Sequence, residues 1–156
     1  AATGAVGVVR RDPMAMRPFV GYNMGDYFAH WIEMGKKIKN QPKIFNVNWF
    51  RTDDEGNFIW PGFGENLRVL DWILARCEDK VDAKETAIGY VPNAKDINIE
   101  GLDGITESTI EDLLSVDKAS WQEEAAGIEK FYGELGDRVP KELYDELDKL
   151  KANLNK

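Results

Sequence analysis

The spacing of hydrophobic residues predicts that much of the chain is helical. Between residues 24 and 37, Tyr27, Trp31 and Met34 recur at helical intervals, which is typical of an amphipathic helix. A second helix is predicted over residues 65–78. Because this second helix is apolar most of the way round, we expect it to be buried on two sides.

The later part of the chain continues the helical pattern. Thr106 is a good N-cap for a helix that runs through Leu114, since its hydroxyl can accept from a backbone N–H of the first turn. Two apolar stripes then predict two helices that pack together, the second of them starting at Pro140. The stripes consist of Trp121, Ala125, Ile128, Tyr132 and Leu135, and of Val139, Leu143, Leu147, Leu150 and Leu154.

Short apolar runs predict β-strands between these helices. In residues 44–49 aromatic and apolar side chains alternate with Asn46 and Asn48, which is the period of a strand. Residues 58–60 follow as a short strand after a polar turn at residues 53–57. Further strands are predicted at residues 6–10 and 97–99. Helices and strands that alternate in this way indicate the α/β class.

Length, charge and cysteine content narrow the classes of function. The 156 residues are enough for one domain with a real core, and not for a two-domain enzyme. A formal net charge of -8 argues against a nucleic-acid partner, whose phosphates need a basic face. No apolar run approaches the roughly 20 residues that span a bilayer, so we expect no membrane partner and a cytoplasmic location. The single Cys77 excludes a disulfide within the chain.

The start of the chain predicts a piece of a longer protein. It has no initiator methionine, and the small residues 1–4 lead at once into the strand at 6–10, which needs neighbours. Arg10, Arg11 and Arg17 cluster here, whereas the last third is acidic, so an anionic ligand would be drawn to the front half. The alternative for these arginines is solvation or pairing with acids.

Familiar catalytic signatures are absent from the sequence. It contains no GxxxxGKS or GxxxxGKT phosphate loop, no HExxH, no GxSxG and no CxxC. We therefore expect no catalytic residue in this chain and no catalysis by the chain alone.

The aromatic residues Phe50, Phe58 and Phe63 surround a Pro/Gly turn and are the candidate binding residues. They either pack into a core or stack on a flat ligand. Asn66, in the first turn of the following helix, can accept from a guanine N1–H while donating to O6. The same amide can serve adenine by exchanging its two ends, so Asn66 is insufficient by itself, and a plain helix-start residue is the alternative.

Several motifs carry a resemblance to a known enzyme family. They are DPMAMRPF at residues 12–19, GYN at 21–23, His30-Trp31, PKIF at 42–45, WPGFGEN at 60–66 and IGYVP at 88–92. In these motifs the sequence resembles the GTP-dependent phosphoenolpyruvate carboxykinases, closely up to about Leu114 and mainly in pattern beyond it. The resemblance implies the C-terminal, nucleotide-binding portion of the carboxykinase fold, a mixed sheet packed with several helices and a helical C-terminal end.

The resemblance also implies a division of the chain. Residues 1–156 would be a single C-terminal domain fragment. Within it, residues 1–9 would hold the end of a mobile lid and the following strand, residues 10–92 the guanine-nucleotide-binding α/β part, and residues 93–156 a mainly helical scaffold.

The family's activity gives the candidate residues roles. Its members convert oxaloacetate and GTP to phosphoenolpyruvate, CO₂ and GDP in gluconeogenesis, with Mn²⁺ as a Lewis acid. By resemblance, Phe50, Phe58 and Phe63 would hold the guanine, Asn66 would read its edge, and Phe19 would lie beside the oxaloacetate or phosphoenolpyruvate pocket. The Mn²⁺ ligands and the phosphate loop are expected in the missing N-terminal part of the enzyme, which is the implied partner.

Two other classes of function compete with this interpretation. A stand-alone binding module would stack Trp49, Trp60 and the phenylalanines on sugar rings or a peptide, with no guanine preference. A purely structural C-terminal subunit would turn all its aromatics inward or toward a partner chain, and would bind no nucleotide.

Overall fold

The computed structural model describes residues 12 and 16–156. The predicted strand at 6–10, the lid segment and the two arginines at positions 10 and 11 lie outside the described residues. Clustering of contacts divides the chain into two compact units. The first combines the residues up to Gln41 with Lys118–Lys156, and the second is Pro42–Asp117.

Helices dominate the part of the chain that the structure describes. They are α1 (Met24–Lys37), α2 (Asn66–Cys77), α3 (Glu107–Leu113), α4 (Lys118–Leu135) and α5 (Lys141–Leu154). Short 3₁₀ helices occur at Phe63–Glu65, Ala94–Asp96 and Gly136–Arg138. Strands β1 (Lys84–Thr86) and β2 (Gly89–Val91) form an antiparallel hairpin. The bounds predicted for α1 are confirmed, and α3 begins after Thr106, whose side chain accepts from the Thr109 N–H as expected of an N-cap.

The first unit is built on helices α1, α4 and α5. Met24, Phe131, Leu135 and Val139 form its buried core cluster. The predicted packing of the last two helices against each other is confirmed. Most residues of the two apolar stripes face inward. Two long amphipathic helices can therefore pack along these stripes and bury them against each other.

Asn23 connects the start of α1 to the end of α4. Its Oδ1 accepts the Gly25 N–H at 2.7 Å, and its Nδ2 donates to the Leu135 carbonyl at 2.9 Å. One amide therefore satisfies a helix N-terminus and a helix C-terminus, both of which leave backbone groups without partners.

The second unit has its own core of Trp60, Trp72, Ile97 and Ile110. Helix α2 contributes Trp72 to this core, whereas its leucines at positions 67, 70 and 74 are exposed. The expectation that this helix is buried on two sides is therefore wrong within this chain. Only the face that bears Trp72 meets other elements of the unit, and the described residues provide nothing to cover the leucine face.

The three predicted strands that fall on described residues are not found in the structure. Residues 44–49 and 97–99 form no strand, and residues 58–60 form only an isolated antiparallel bridge between Thr52 and Phe58. Alternation alone does not make a strand, because a ladder also needs a neighbour in register. The described part of the chain is thus helix-rich with one small antiparallel sheet, and the mixed sheet is not among its elements.

Candidate nucleotide-binding site

The phenylalanines at positions 50, 58 and 63 are not core residues. Their side chains are 71%, 64% and 91% exposed, respectively. The core alternative stated for them is wrong in this chain. Three large apolar rings facing solvent in one segment are unusual for a monomeric protein.

The Phe50 and Phe58 side chains come together across a tight polar turn. Their ring centroids lie 6.0 Å apart. The turn between them is closed by the Thr52–Phe58 bridge and by the Asp53 N–H donating to the Asn57 carbonyl at 2.9 Å. The predicted turn at residues 53–57 is confirmed, and it is what brings the two rings side by side.

Asp53 organises this turn with its carboxylate. Its Oδ1 accepts the backbone N–H groups of Glu55 at 3.0 Å and Asn57 at 2.8 Å, and its Oδ2 accepts from the Asn57 side chain at 3.2 Å. The Asn57 backbone N–H, as the largest cause, holds the pKa of the Asp53 carboxyl below its usual value. The charged form of Asp53 is therefore the form that fits the turn.

Phe63 and Asn66 are positioned by a second turn. Gly62 precedes it with φ of +119°, a backbone conformation that favours glycine. The 3₁₀ helix Phe63–Glu65 then leads directly into α2, and the Asn66 N–H donates to the Phe63 carbonyl. The exposed ring and the candidate edge-reading amide are thus one short turn apart.

The Asn66 side chain has a partner that the sequence analysis missed. The buried indole of Trp60 donates its Nε1–H to Asn66 Oδ1 at 2.9 Å. The only sequence signal was the WPGFGEN motif itself, in which the two residues flank the Pro/Gly turn. The candidate residues therefore form two contacting sets: the rings of Phe50 and Phe58, and Asn66 with Trp60 and the Phe63 backbone.

Two arginines form hydrogen bonds between the candidate site and other segments of the second unit. Arg51 donates through Nη2 to Ser115 Oγ at 2.8 Å and through Nη1 to the Leu113 carbonyl at 3.2 Å. Arg68 donates to Glu65 Oε2 at 2.6 Å and to the Asn98 carbonyl at 2.9 Å. Both flank site residues in sequence, so they hold the two turns against the end of α3 and the segment after the core residue Ile97.

Phe19 and Arg17 lie in the first unit. Phe19 is exposed, in a turn closed by its N–H donating to the Met16 carbonyl at 2.8 Å. Arg17 donates to Glu134 Oε2 at 3.1 Å, and its guanidinium carbon lies 5.4 Å from the centroid of the Phe131 ring. Arg17 is therefore paired with an acidic side chain, which was the alternative to binding an anionic ligand.

The chain matches a known protein family over nearly its whole length. The protein-family model of the phosphoenolpyruvate carboxykinase C-terminal P-loop domain matches residues 1–153 of this chain. The chain belongs to the GTP-dependent phosphoenolpyruvate carboxykinase family. The resemblance found in the sequence motifs is confirmed.

Curated carboxykinase relatives match along nearly the whole chain. A protein named phosphoenolpyruvate carboxykinase (GTP) from Paenarthrobacter aurescens is 53% identical over 156 residues, which are 99% of this chain and 26% of that protein. Proteins with the same name from Thermoplasma volcanium and Treponema pallidum are 51% and 52% identical, over 99% and 96% of the chain and 26% and 25% of their own lengths. The chain spans about a quarter of the length of these carboxykinases.

Neither a metal-binding cluster nor a membrane-spanning helix is found among the described residues. No group of three or more His, Cys, Asp or Glu side chains among residues 12 and 16–156 is arranged to hold a metal ion. No helix in that part of the carboxykinase chain is long and apolar enough to cross a membrane.

Proposed function

We propose that this chain provides guanine recognition in a GTP-dependent phosphoenolpyruvate carboxykinase. The whole enzyme would convert oxaloacetate and GTP to phosphoenolpyruvate, CO₂ and GDP in the cytoplasm, as a step of gluconeogenesis. The observation that carries the proposal is the exposure of three aromatic rings in one short segment, Phe50, Phe58 and Phe63, the last of which is one turn from Asn66.

Stacking on the exposed rings would supply most of the affinity for the base. A base that stacks on an aromatic side chain gains about 1–3 kcal/mol in single-stranded nucleic-acid sites, and the same π-face contact is available here. Because every base has a π-face, the rings give affinity without choosing the base. The binding-module alternative shares this surface, but it loses Trp60, which is buried and bonded to Asn66.

The choice of guanine would come from Asn66. Its NH₂ group can donate to guanine O6, and its carbonyl has a second lone pair for N1–H beyond the one that Trp60 uses. Site residues thus have distinct proposed roles, with the rings providing affinity and the amide providing identity.

Phe19 would serve the other substrate. It is an exposed aromatic side chain on a closed turn, and we propose that it lies beside the oxaloacetate or phosphoenolpyruvate pocket of the whole enzyme. Mn²⁺ would act on the carboxylates and phosphates as a Lewis acid. The described residues offer no ligand set for it, so no step of the chemistry is assigned through the metal to this chain.

The exposed leucine face of α2 would contact the rest of the enzyme. Leu67, Leu70 and Leu74 lie along one side of the helix and are exposed. The relatives are about four times as long as the region they share with this chain. We propose that the preceding part of such a longer chain covers this face.

The test is a titration with GDP and, separately, with ADP. Intrinsic tryptophan fluorescence is the signal, because Trp60 contacts Asn66 directly and lies 5.9 Å from Trp49 between ring centroids. We expect saturable quenching by GDP and a much weaker response to ADP. Both the 156-residue chain and the full-length enzyme are titrated, since part of the site can come from upstream sequence.

Equal responses to the two nucleotides in the full-length enzyme would favour a binding module without base preference. No response to either nucleotide there would favour a purely structural role. Each of these results would overturn the proposed function.

A further inference from the structure

A free asparagine amide does not distinguish guanine from adenine. One end presents a carbonyl acceptor and the other an NH₂ donor, and a half-turn of the amide exchanges them. Guanine carries an oxygen at position 6 and adenine an amino group, so each suits one orientation. A site that reads guanine through Asn66 therefore needs something that fixes the amide.

The hydrogen bond from Trp60 fixes the orientation of the Asn66 amide. Indole Nε1–H only donates, so the Asn66 atom that receives it at 2.9 Å must be the carbonyl Oδ1. Trp60 is 7% exposed, and its ring cannot turn outward without exposing a large apolar face. Exchange of the amide ends would set the Asn66 NH₂ against the indole N–H and leave a buried donor without an acceptor.

We propose that Trp60 makes the site specific for guanine by locking the orientation of Asn66. With Oδ1 held by the indole, the amide presents its NH₂ group to the ligand, accepts a 6-oxo purine and rejects a 6-amino purine. This rests on the guanine site proposed above. Trp60 is a positioning residue that acts through Asn66.

The first test needs no variant. The full-length enzyme is titrated by calorimetry with the diphosphates of 2-aminopurine riboside and 2,6-diaminopurine riboside, which differ only in the amino group at position 6. A locked amide should bind the diaminopurine several-fold more weakly, because two donors meet. An amide free to rotate should bind the diaminopurine more tightly, through its N6 and N1.

The second test compares two changes of the same kind. Trp60→Phe removes the indole N–H and keeps an aromatic ring. Trp72→Phe makes the same change at another buried tryptophan of the same core, whose Nε1 has no hydrogen-bond partner among the described residues. Both leave a similar gap, but only the first frees the Asn66 amide.

We expect Trp60→Phe to reduce the ratio of GDP affinity to ADP affinity about tenfold, the scale of one buried unpaired donor. Trp72→Phe should leave the ratio within about twofold, since it changes packing alone. In an Asn66→Ala background, Trp60→Phe should have no further effect on the ratio, which is the signature of two residues that act as a unit.

The possible failures are separable. If the parent enzyme shows no GDP preference, the guanine site fails and the lock fails with it. If the parent prefers GDP and Asn66→Ala abolishes that preference, the site stands. In that case, two results would overturn only the proposed role of Trp60. They are tighter binding of the diaminopurine nucleotide and an unchanged ratio of GDP to ADP affinity in Trp60→Phe.

Discussion

The Phe50 and Phe58 rings meet edge to face, with centroids 6.0 Å apart and planes inclined by 61°. In this arrangement each ring braces the other, and both remain exposed enough to contact a ligand. In the proposed site this pair would form one wall for the purine, and little ordering of side chains would be needed on binding.

Removal of one ring should weaken the binding of both purine nucleotides. We expect Phe58→Ala to lower GDP and ADP affinity by a similar factor of about tenfold, because stacking of about 1–3 kcal/mol does not depend on the base. Calorimetry gives both dissociation constants. Tyr90→Ala, at an exposed aromatic on β2, is the matched control and should change neither. A change in the GDP to ADP ratio in Phe58→Ala would contradict a purely stacking role.

The backbone at Gly62 should be intolerant of a side chain. With φ of +119°, Gly62→Ala is strained even though an added Cβ would meet open space. The expected loss is about 1–3 kcal/mol in the free energy of unfolding, together with weaker GDP binding, because Phe63 and Asn66 follow this turn. Gly64→Ala is the control for stability, since Gly64 also faces open space and no positive φ is found there. Equal stability of the two variants in urea unfolding would sink this prediction.

The turn at Asp53 should weaken in acid. Its folded pKa lies below the usual value, chiefly because the Asn57 backbone N–H donates to the carboxylate. A group with a lowered folded pKa stabilises the fold above its unfolded pKa of about 4 and loses that contribution as the pH falls through the folded pKa. We expect carbon-13 NMR titration to give Asp53 a lower pKa in the folded chain than in urea.

Asp53→Asn is the matched variant for that titration. The amide keeps an acceptor oxygen for the Asn57 N–H but carries no charge, so the acid-dependent part of the turn's stability should disappear. If the parent and this variant lose stability to the same extent between neutral pH and the acid range below about 4, Asp53 does not carry the effect.

Local chemistry explains which elements the sequence could predict. The bounds of α1 are predictable because its apolar spacing is a local signal, and the structure adds a cap at Asn23 directly before it. The cap at Thr106 is equally local. The motif predicts the candidate site residues, and the structure pairs Phe50 with Phe58 and places Phe63 one turn from Asn66.

Non-local partners explain what the sequence could not predict. Residues 44–49 alternate like a strand, but no described segment pairs with them in a ladder. The bond from Trp60 to Asn66 spans only six residues, but it depends on the backbone path of the Pro/Gly turn between them, which the spacing of the two residues does not reveal. Exposure of the leucines on α2 depends on what the unit places next to them, and amphipathicity alone does not supply that.

Phe19 should affect the second substrate and leave the nucleotide alone. In the full-length enzyme, we expect Phe19→Ala to raise the KM for oxaloacetate several-fold, because the exposed ring proposed to lie beside the pocket would no longer orient the substrate. The dissociation constant for GDP should stay within about twofold, the usual effect of a change that removes no nucleotide contact. Steady-state kinetics together with calorimetry separate the two effects. An unchanged KM would remove Phe19 from the substrate site.

Gly25 should be the least replaceable glycine of α1. A Cβ at this position would lie 2.5 Å from the Arg138 carbonyl oxygen, a distance that forces backbone apart. We expect Gly25→Ala to lower the free energy of unfolding by about 1–3 kcal/mol, the range of an overpacked core. Gly35→Ala in the same helix meets nothing within 4 Å and should raise stability by about 0.5–1 kcal/mol, because alanine loses less backbone entropy. Urea unfolding of the two variants tests this prediction. A loss of stability in Gly25→Ala together with a gain in Gly35→Ala would require that the start of α1 packs closely against Arg138.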